Sequence, residues 1–188
     1  MKIQAIKKLC MEAETFYLFN CKNGRQFLSN GRGCWPVEGI QLEAAMIPAL
    51  FDISDKQQSM ITIRELPVPD EERFTLEPMQ GEEELEDMGL ILHDGGLVRA
   101  LRGEDGLLLI DSDLTKPGAN KEGKFVYRAR KREGRTPLVA CYGDMLVSAI
   151  VMPIKGRAIM ERLEKISYIP LDVFWEEDEP CASNEESR

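Results

Sequence analysis

Histidine and closely spaced cysteines are scarce in this chain, and both shortages limit its chemistry. His93 is the only histidine, and no serine or cysteine beside it forms a nucleophile motif. None of the five cysteines forms a Cys-x-x-Cys pair: they are Cys10, Cys21, Cys34, Cys141 and Cys181. Structural zinc needs close ligand pairs, and disulfide frameworks are typical of small secreted chains. We expect free thiols and no cofactor; a metal site made of the first three cysteines and His93 is the alternative.

Long apolar runs and a basic surplus are also lacking. No stretch approaches the ~18 apolar residues of a membrane helix, and Lys2, Lys7 and Lys8 interrupt the start of the chain too early for a signal-peptide core. The net charge of −9 disfavours nonspecific nucleic-acid binding by the whole molecule. We therefore expect a cytoplasmic protein with no membrane partner.

Residues 1–66 predict an N-terminal lobe of mixed helix and strand. Apolar residues recur at helical spacing over residues 3–13. The dipeptides Asn23-Gly24 and Asn30-Gly31 then separate short strand-like runs, as in antiparallel hairpins. Ser54 and Gln57 have the spacing of a capping box, which predicts the start of a short helix.

Residues 67–89 interrupt this pattern. They contain three prolines and nine acidic residues, against the single base Arg73. So dense a charge run buries too little apolar surface to offset the entropy of ordering. It predicts an acidic linker between two lobes, with one helical turn near residues 82–88.

Residues 90–175 predict a second, β-rich lobe. Asp-Gly and Gly-Asp dipeptides at 94–95, 105–106 and 143–144 separate apolar runs, which is typical of antiparallel hairpins. Residues 156–167 have the pattern of one helix, residues 168–175 predict a strand, and 176–188 predict a disordered acidic tail. The expected fold class is α+β: antiparallel hairpins and meanders with a few covering helices, in two small lobes.

The clearest catalytic motif is Asp111-Ser112-Asp113-Leu114-Thr115, which follows four apolar residues. It is similar to the first motif of the haloacid dehalogenase superfamily. The resemblance implies a Mg²⁺-dependent phosphohydrolase with Asp111 as nucleophile, Asp113 as general acid/base and Asp144 as a metal ligand.

The surroundings of this motif favour a different interpretation. That superfamily has a parallel sheet with helical crossovers, whereas Gly turns around Asp111 predict antiparallel hairpins. Ser148 also stands where the late motif of the superfamily has a second aspartate. The alternative is a turn in which Asp111 and Asp113 accept hydrogen bonds from nearby backbone N–H groups.

A basic cluster lies in the otherwise acidic chain, on a predicted hairpin at residues 121–135. Its aromatic residues Phe125 and Tyr127 alternate with bases, a pattern that can track phosphates and stack on nucleotide bases. The candidate nucleic-acid-binding residues are Lys124, Arg128, Arg130, Lys131, Arg132 and Arg135. The alternatives are a solvated hairpin tip, or a complement to acidic residues 67–89 of the same or a neighbouring chain.

Three stretches carry a further resemblance. Residues 1–13, Phe16-Tyr17-Leu18-Phe19-Asn20 and residues 51–58 (beginning Phe51-Asp52-Ile53-Ser54) resemble small uncharacterised proteins encoded in prophages and mobile elements of Firmicutes. The resemblance implies a bacterial, cytoplasmic, phage-linked setting and brings no activity or site residues.

Together these features predict a noncatalytic binding or assembly protein. Its partner is another protein or a second copy, reached through edge strands and through pairing of the basic hairpin with acidic segments. A nucleic-acid accessory protein is the first alternative, and the Mg²⁺-dependent phosphohydrolase is the second.

Overall fold

A computed structural model describes residues 2–68, 71–93, 96–119, 124–143 and 145–154. These residues belong to one compact unit, Met1–Lys155. The predicted helix at 156–167, strand at 168–175 and tail at 176–188 lie outside the described residues, as does Asp144.

β-strand is the commonest regular structure in the described chain. The helices are α1 (Ile3–Glu12), α2 (Ile47–Leu50) and α3 (Asp55–Gln58), with short 3-10 helices at Ala44–Met46, Glu71–Arg73 and Ser112–Gly118. The strands are β1 (Thr15–Asn20), β2 (Gln26–Ser29), β3 (Gly33–Val37), β4 (Thr62–Pro67), β5 (Glu83–His93), β6 (Gly96–Gly103), β7 (Gly106–Asp111), β8 (Val126–Arg132), β9 (Arg135–Gly143) and β10 (Leu146–Val151). No helix in these described segments has the length and apolar character that crossing a membrane requires.

The strands form one sheet in the order β4-β1-β2-β3-β10-β9-β8-β5-β6-β7. Strand β1 runs parallel to β4, and the other neighbours recorded for the described strands are antiparallel. The predicted α+β class with mainly antiparallel strands is therefore confirmed.

Local sequence accounts for several of these elements. Helix α1 buries Ile6, Leu9 and Cys10 along one stripe, as their spacing predicts. The β2–β3 hairpin turns through Asn30 and Gly31, where Gly31 has a φ of +86°, a conformation that glycine adopts without strain. The capping box at α3 is present as well.

The acidic segment at residues 67–89 behaves differently from the predicted linker. Its second half enters β5, which lies between β8 and β6 within the sheet. Glu83, Glu84 and Leu85 face Ala129, Arg128 and Tyr127 of β8. The described residues on both sides of the segment belong to one compact unit, so the two predicted lobes are not seen. Opposite charges on the neighbouring strand offset the cost of ordering so many carboxylates.

Each face of the sheet buries its own apolar cluster. Along β9, Val139 and Cys141 belong to the first cluster, whereas Leu138, Ala140 and Tyr142 belong to the second. This alternation follows the two-residue period of a strand. Helix α1 contributes to the first face, and Phe74, from the acidic segment, contributes to the second.

Candidate functional site

Residues 71–82 follow β4 and precede β5 in the chain, and Phe74 places them against the second face of the sheet. We call this segment the strap. The buried ring of Phe74 packs edge-on against Phe27, with ring centroids 5.4 Å apart, and against Phe19 at 6.2 Å. The backbone N–H of Val147 donates to the carbonyl oxygen of Leu76 at 2.9 Å. The first half of the predicted linker is therefore a packed covering of this face.

A fully buried arginine holds the strap in place. Arg130 Nε donates to Glu82 Oε1 at 2.7 Å, and the Glu82 side chain is only 3% exposed. The Arg130 Nη1 donates to the carbonyl oxygens of Arg73 and Thr75, which flank Phe74 on both sides. Because one guanidinium binds both neighbours of Phe74, it positions that ring.

Tyr142 completes this cluster, which we call the latch (Arg130, Glu82 and Tyr142). The Tyr142 hydroxyl accepts from Arg130 Nη2 at 3.0 Å and lies 2.7 Å from both Glu82 oxygens. Burial, and then the hydrogen bond to Glu82, raise the pKa of the Tyr142 phenol. The phenol therefore remains a hydrogen-bond donor at neutral pH.

Three of the nucleic-acid-binding candidates make contacts that link the basic hairpin to acidic residues of the same chain. Arg130 is buried in the latch, and Arg128 lies 3.5 Å from Glu84 with its guanidinium over the Tyr142 ring. Lys131 pairs with Glu83 at 3.4 Å and with Asp105 at 3.1 Å. This arrangement matches the alternative in which the basic hairpin complements the acidic segment of its own chain. Lys124 and Arg135 are exposed, and Arg132 lies elsewhere, as described below.

The aspartates of the dehalogenase-like motif make local contacts at the end of β7. Asp111 Oδ1 accepts from the backbone N–H of Asp113 at 3.0 Å, and Asp111 Oδ2 lies 3.6 Å from Arg32 Nη1. Asp113 pairs with Lys116, three residues along the chain. These are the contacts of the turn interpretation, and Arg32 is the one distant partner.

The metal-ligand candidate of that motif, Asp144, lies outside the described residues. Across the described segments, no three His, Cys, Asp or Glu residues are grouped as metal ligands.

A small apolar groove lies on the second face beside the strap. It encloses about 200 Å³. Its walls come from β1, the β2–β3 hairpin, the strap and the strands β8, β9 and β10. The lining residues are Tyr17, Phe19, Ser29, Gly31, Arg32, Cys34, Phe74, Arg132, Leu138, Ile150 and Met152.

The local structure explains how the groove obtains its two charged side chains. Asn30 Oδ1 accepts from the backbone N–H groups of Arg32 and Gly33 at 3.1 and 2.9 Å, which fixes the turn that carries Arg32. Arg132 Nε donates to the Thr136 carbonyl oxygen at 2.8 Å across the β8–β9 hairpin. The backbone of the Arg32 turn and the guanidinium of Arg132 are thus both held by neighbouring residues.

The electrostatics of the groove are simple. Its described lining contains two guanidinium groups and no carboxylate. Burial raises the pKa of the Cys34 thiol to about 12, so the thiol is neutral at physiological pH. The groove therefore presents a neutral apolar floor and a positive rim.

Two larger cavities are weaker candidates for a binding site. One, of about 650 Å³, is a shallow surface where Glu83, Arg102 and Lys131 lie among further carboxylates, and these groups pair with one another or with neighbours. The other, of about 490 Å³, contains Ser148, whose hydroxyl already donates to the Cys141 carbonyl oxygen at 3.0 Å. In the first cavity the charged groups are paired, and in the second the Ser148 hydroxyl is already engaged.

The sheet ends in β4 on one side and in β7 on the other. The carbonyl oxygen of Leu109 in β7 already accepts from Ile154 N at 2.7 Å, so part of that edge is engaged within the chain. Assembly through the edge strands stays a prediction.

Comparison of the chain with protein-family models, with curated proteins and with solved structures found no match. The groove is the feature that sequence reasoning missed. Its one local signal is the alternation of Tyr17 and Phe19, which places two aromatic rings on one face of β1. The remaining lining residues are distant in sequence and meet only through the sheet order.

Proposed function

We propose that this chain is a noncatalytic binding protein that captures one large apolar side chain of a protein partner in the groove. The observation that carries the proposal is the combination of a 200 Å³ apolar floor with a charged rim. Small-molecule pockets usually enclose about 300–1,000 Å³, so this groove is small for that class. Single anchor side chains seated in apolar pockets are typical of protein interfaces.

The surroundings of the other candidate sites support this choice over the alternatives. Asp111 and Asp113 are engaged in short-range pairs, as the turn interpretation expects. Arg130 has no exposed surface to offer a phosphate. The bacterial, phage-linked setting stays a prediction that nothing in the fold bears on.

Methionine methyl NMR tests the proposal without knowledge of the partner. The probe is N-acetyl-tryptophanamide, added to protein labelled with ¹³C at its methionine methyl groups. Met152 lines the groove and is 40% exposed, whereas Met60 is 61% exposed and lies outside the groove lining. We expect a saturable shift of the Met152 resonance and none at Met60. Equal shifts at both, or none at either, would contradict the proposal.

A further inference from the structure

We infer that the outer edge of β4 binds an extended segment of a partner protein as an added antiparallel strand, with a carboxylate beside Arg64 and an apolar residue beside Ile63. In the order of the described strands, β4 is terminal and pairs with β1 alone. No residue of β4 lines the groove, so this surface goes beyond the proposed function and is tested separately from it.

The hydrogen bonds between β4 and β1 show which backbone groups of β4 face outwards. The backbone N–H of Thr62 donates to the Glu14 carbonyl oxygen at 2.9 Å, and that of Val68 donates to the last residue of β1 at 3.2 Å. Successive residues of a strand direct their N–H and C=O groups to alternate sides. The even-numbered residues of β4 therefore pair with β1, and the backbone groups of Ile63 and Glu65 point away from it.

The proline that ends β4 agrees with this assignment. Pro67 has no N–H group, and the alternation places its nitrogen on the outer side of the strand. Within sheets, proline is confined to edge strands, strand starts and bulges, because it cannot donate to a ladder. An added strand therefore finds donors at Ile63 and Glu65 and none at Pro67, which fixes where the new ladder ends.

The side chains of β4 define the chemistry of the partner. Ile63 is half-buried and packs against the first apolar cluster, so an apolar neighbour would extend that contact. The Glu65 carboxylate already accepts from Asn20 Nδ2 at 2.6 Å and from the Ala44 backbone N–H at 3.4 Å. Arg64 is exposed on the opposite face. The charge that β4 presents to a partner is therefore the Arg64 guanidinium.

Antiparallel addition brings the matching side chains together. A residue opposite Arg64 shares its face and forms a pair without ladder hydrogen bonds, which is the closer type of cross-strand pair. Strand addition of this kind gains affinity from the main chain and specificity from alternate side chains. The chain has a net charge of −9, which by itself favours basic ligands. A preference for a carboxylate would therefore identify the local contact with Arg64.

Hydrogen exchange of backbone amides tests the inference with a defined peptide. The probe is acetyl-Val-Thr-Glu-Val-Thr-amide, in which antiparallel addition places the glutamate opposite Arg64 and the next valine opposite Ile63. We expect the peptide to slow exchange of the Ile63 and Glu65 amides. The Arg64 and Leu66 amides already donate to β1 and should change little. Protection of all four amides alike, or of none, would contradict the inference.

Two N-methylated peptides test the direction and register of the added strand. Methylation of the valine opposite Ile63 removes a ladder donor and should weaken binding by about fivefold or more. The N–H of the glutamate points away from β4, so its methylation should change the affinity by less than about twofold. Affinities come from the shift of the Ile63 amide resonance. Equal losses for the two peptides would show that no such ladder forms.

Charge variants test the contact with Arg64. A peptide with lysine in place of glutamate should bind about twofold to tenfold more weakly. Arg64→Gln should abolish this preference. Arg102→Gln is the matched control, because Arg102 lies on β6 with a side chain that is 42% exposed, and it should retain the preference. Urea unfolding verifies that both variants are folded, and equal affinity of the two peptides for the unaltered protein would overturn the inferred partner chemistry.

The outcomes separate this inference from the proposed function. A peptide that shifts the Met152 methyl resonance without protecting Ile63 binds in the groove, which contradicts the inference and leaves the proposed function intact. Protection of Ile63 and Glu65 together with failure of the groove to bind N-acetyl-tryptophanamide would have the reverse meaning. Protection of these two amides in concentrated protein alone, with a dimer seen by light scattering, would make a second copy the occupant and overturn the inferred partner.

Discussion

Replacing Arg130 with methionine should destabilise the protein severely. Methionine keeps much of the apolar stem but removes the guanidinium, which leaves the Glu82 carboxylate buried with Tyr142 as its remaining recorded donor. Breaking a buried ion pair from one side costs about 3–5 kcal/mol when the other charge stays uncompensated. Arg128 Nη1, 3.8 Å from Glu82 Oε2, offsets part of this cost, so the lower end of that range is expected. The carbonyl groups of Arg73 and Thr75 also lose their donor. The strap can move and rehydrate these carbonyls, so we keep the estimate at the lower end of that range rather than adding to it.

The assay is urea unfolding followed by the fluorescence of Trp35, which is fully buried. Lys131→Met is the matched control, because Lys131 is the next residue in β8 and its ion pair with Glu83 involves a side chain that is 51% exposed. That variant should lose about 0–1 kcal/mol. The double variant Arg130→Met with Glu82→Leu should recover part of the loss, since it removes the trapped charge. A loss below ~1 kcal/mol for Arg130→Met, equal to the control, would show that the buried guanidinium does not stabilise the strap.

Three further outcomes follow from the same packing. Burial raises the pKa values of the Cys10, Cys34 and Cys141 thiols to about 12, so these residues should resist alkylation at pH 8 until urea unfolds the chain. Mass spectrometry of the labelled peptides measures this resistance. Rapid labelling of the native protein would contradict the prediction. In the unfolded chain the same thiols ionise near their ordinary pKa of about 8.5. The stability that the neutral thiols contribute is therefore complete below that pH and is lost as the pH rises towards 12. A free energy of unfolding that does not decrease from about pH 9 to about pH 11 would show that the pKa values are not raised. A Cβ on Gly118 would lie 2.6 Å from the Cβ and Oγ of Ser148, which is too close for two side chains. Gly118→Ala should therefore destabilise the protein by about 1–3 kcal/mol in the same urea assay. An unchanged free energy of unfolding would show that Gly118 and Ser148 are not packed this closely.

The turns and the first helix were predictable because their causes are local. Gly31 takes a positive φ, which its lack of a Cβ permits, and Ser54 caps a helix through a residue three positions away. The burial stripe of α1 likewise lies within ten residues. Each of these features depends only on residues that are close together in the sequence.

The order of the acidic segment, residues 67–89, was not predictable because the residues that order it are distant in the sequence. Glu82 lies 48 residues from Arg130 in sequence, and Glu83 pairs across to β8. A charge run read alone predicts a solvated linker, whereas the same run beside a basic strand is neutralised and orders. The alternation of Leu85 with charged neighbours was the local trace of a strand.

The groove was out of reach for a similar reason. Arg32 and Arg132 are 100 positions apart, and they line one cavity only because the sheet order brings the β2–β3 turn and β8 to the same groove. The parallel pairing of β4 with β1 was equally non-local, since its register links Thr15 to Thr62. Pattern and spacing predict elements, but the order of strands decides which side chains share a site.

Intermolecular nuclear Overhauser effects between the protein and N-acetyl-tryptophanamide test whether the groove is the binding site. We expect cross-peaks from the indole protons to the Met152 methyl group and to the ring protons of Phe74, which form two walls of the groove. Cross-peaks to the exposed Met145 or Met60 methyl groups instead, from a probe that is demonstrably bound, would show that the groove is not the site.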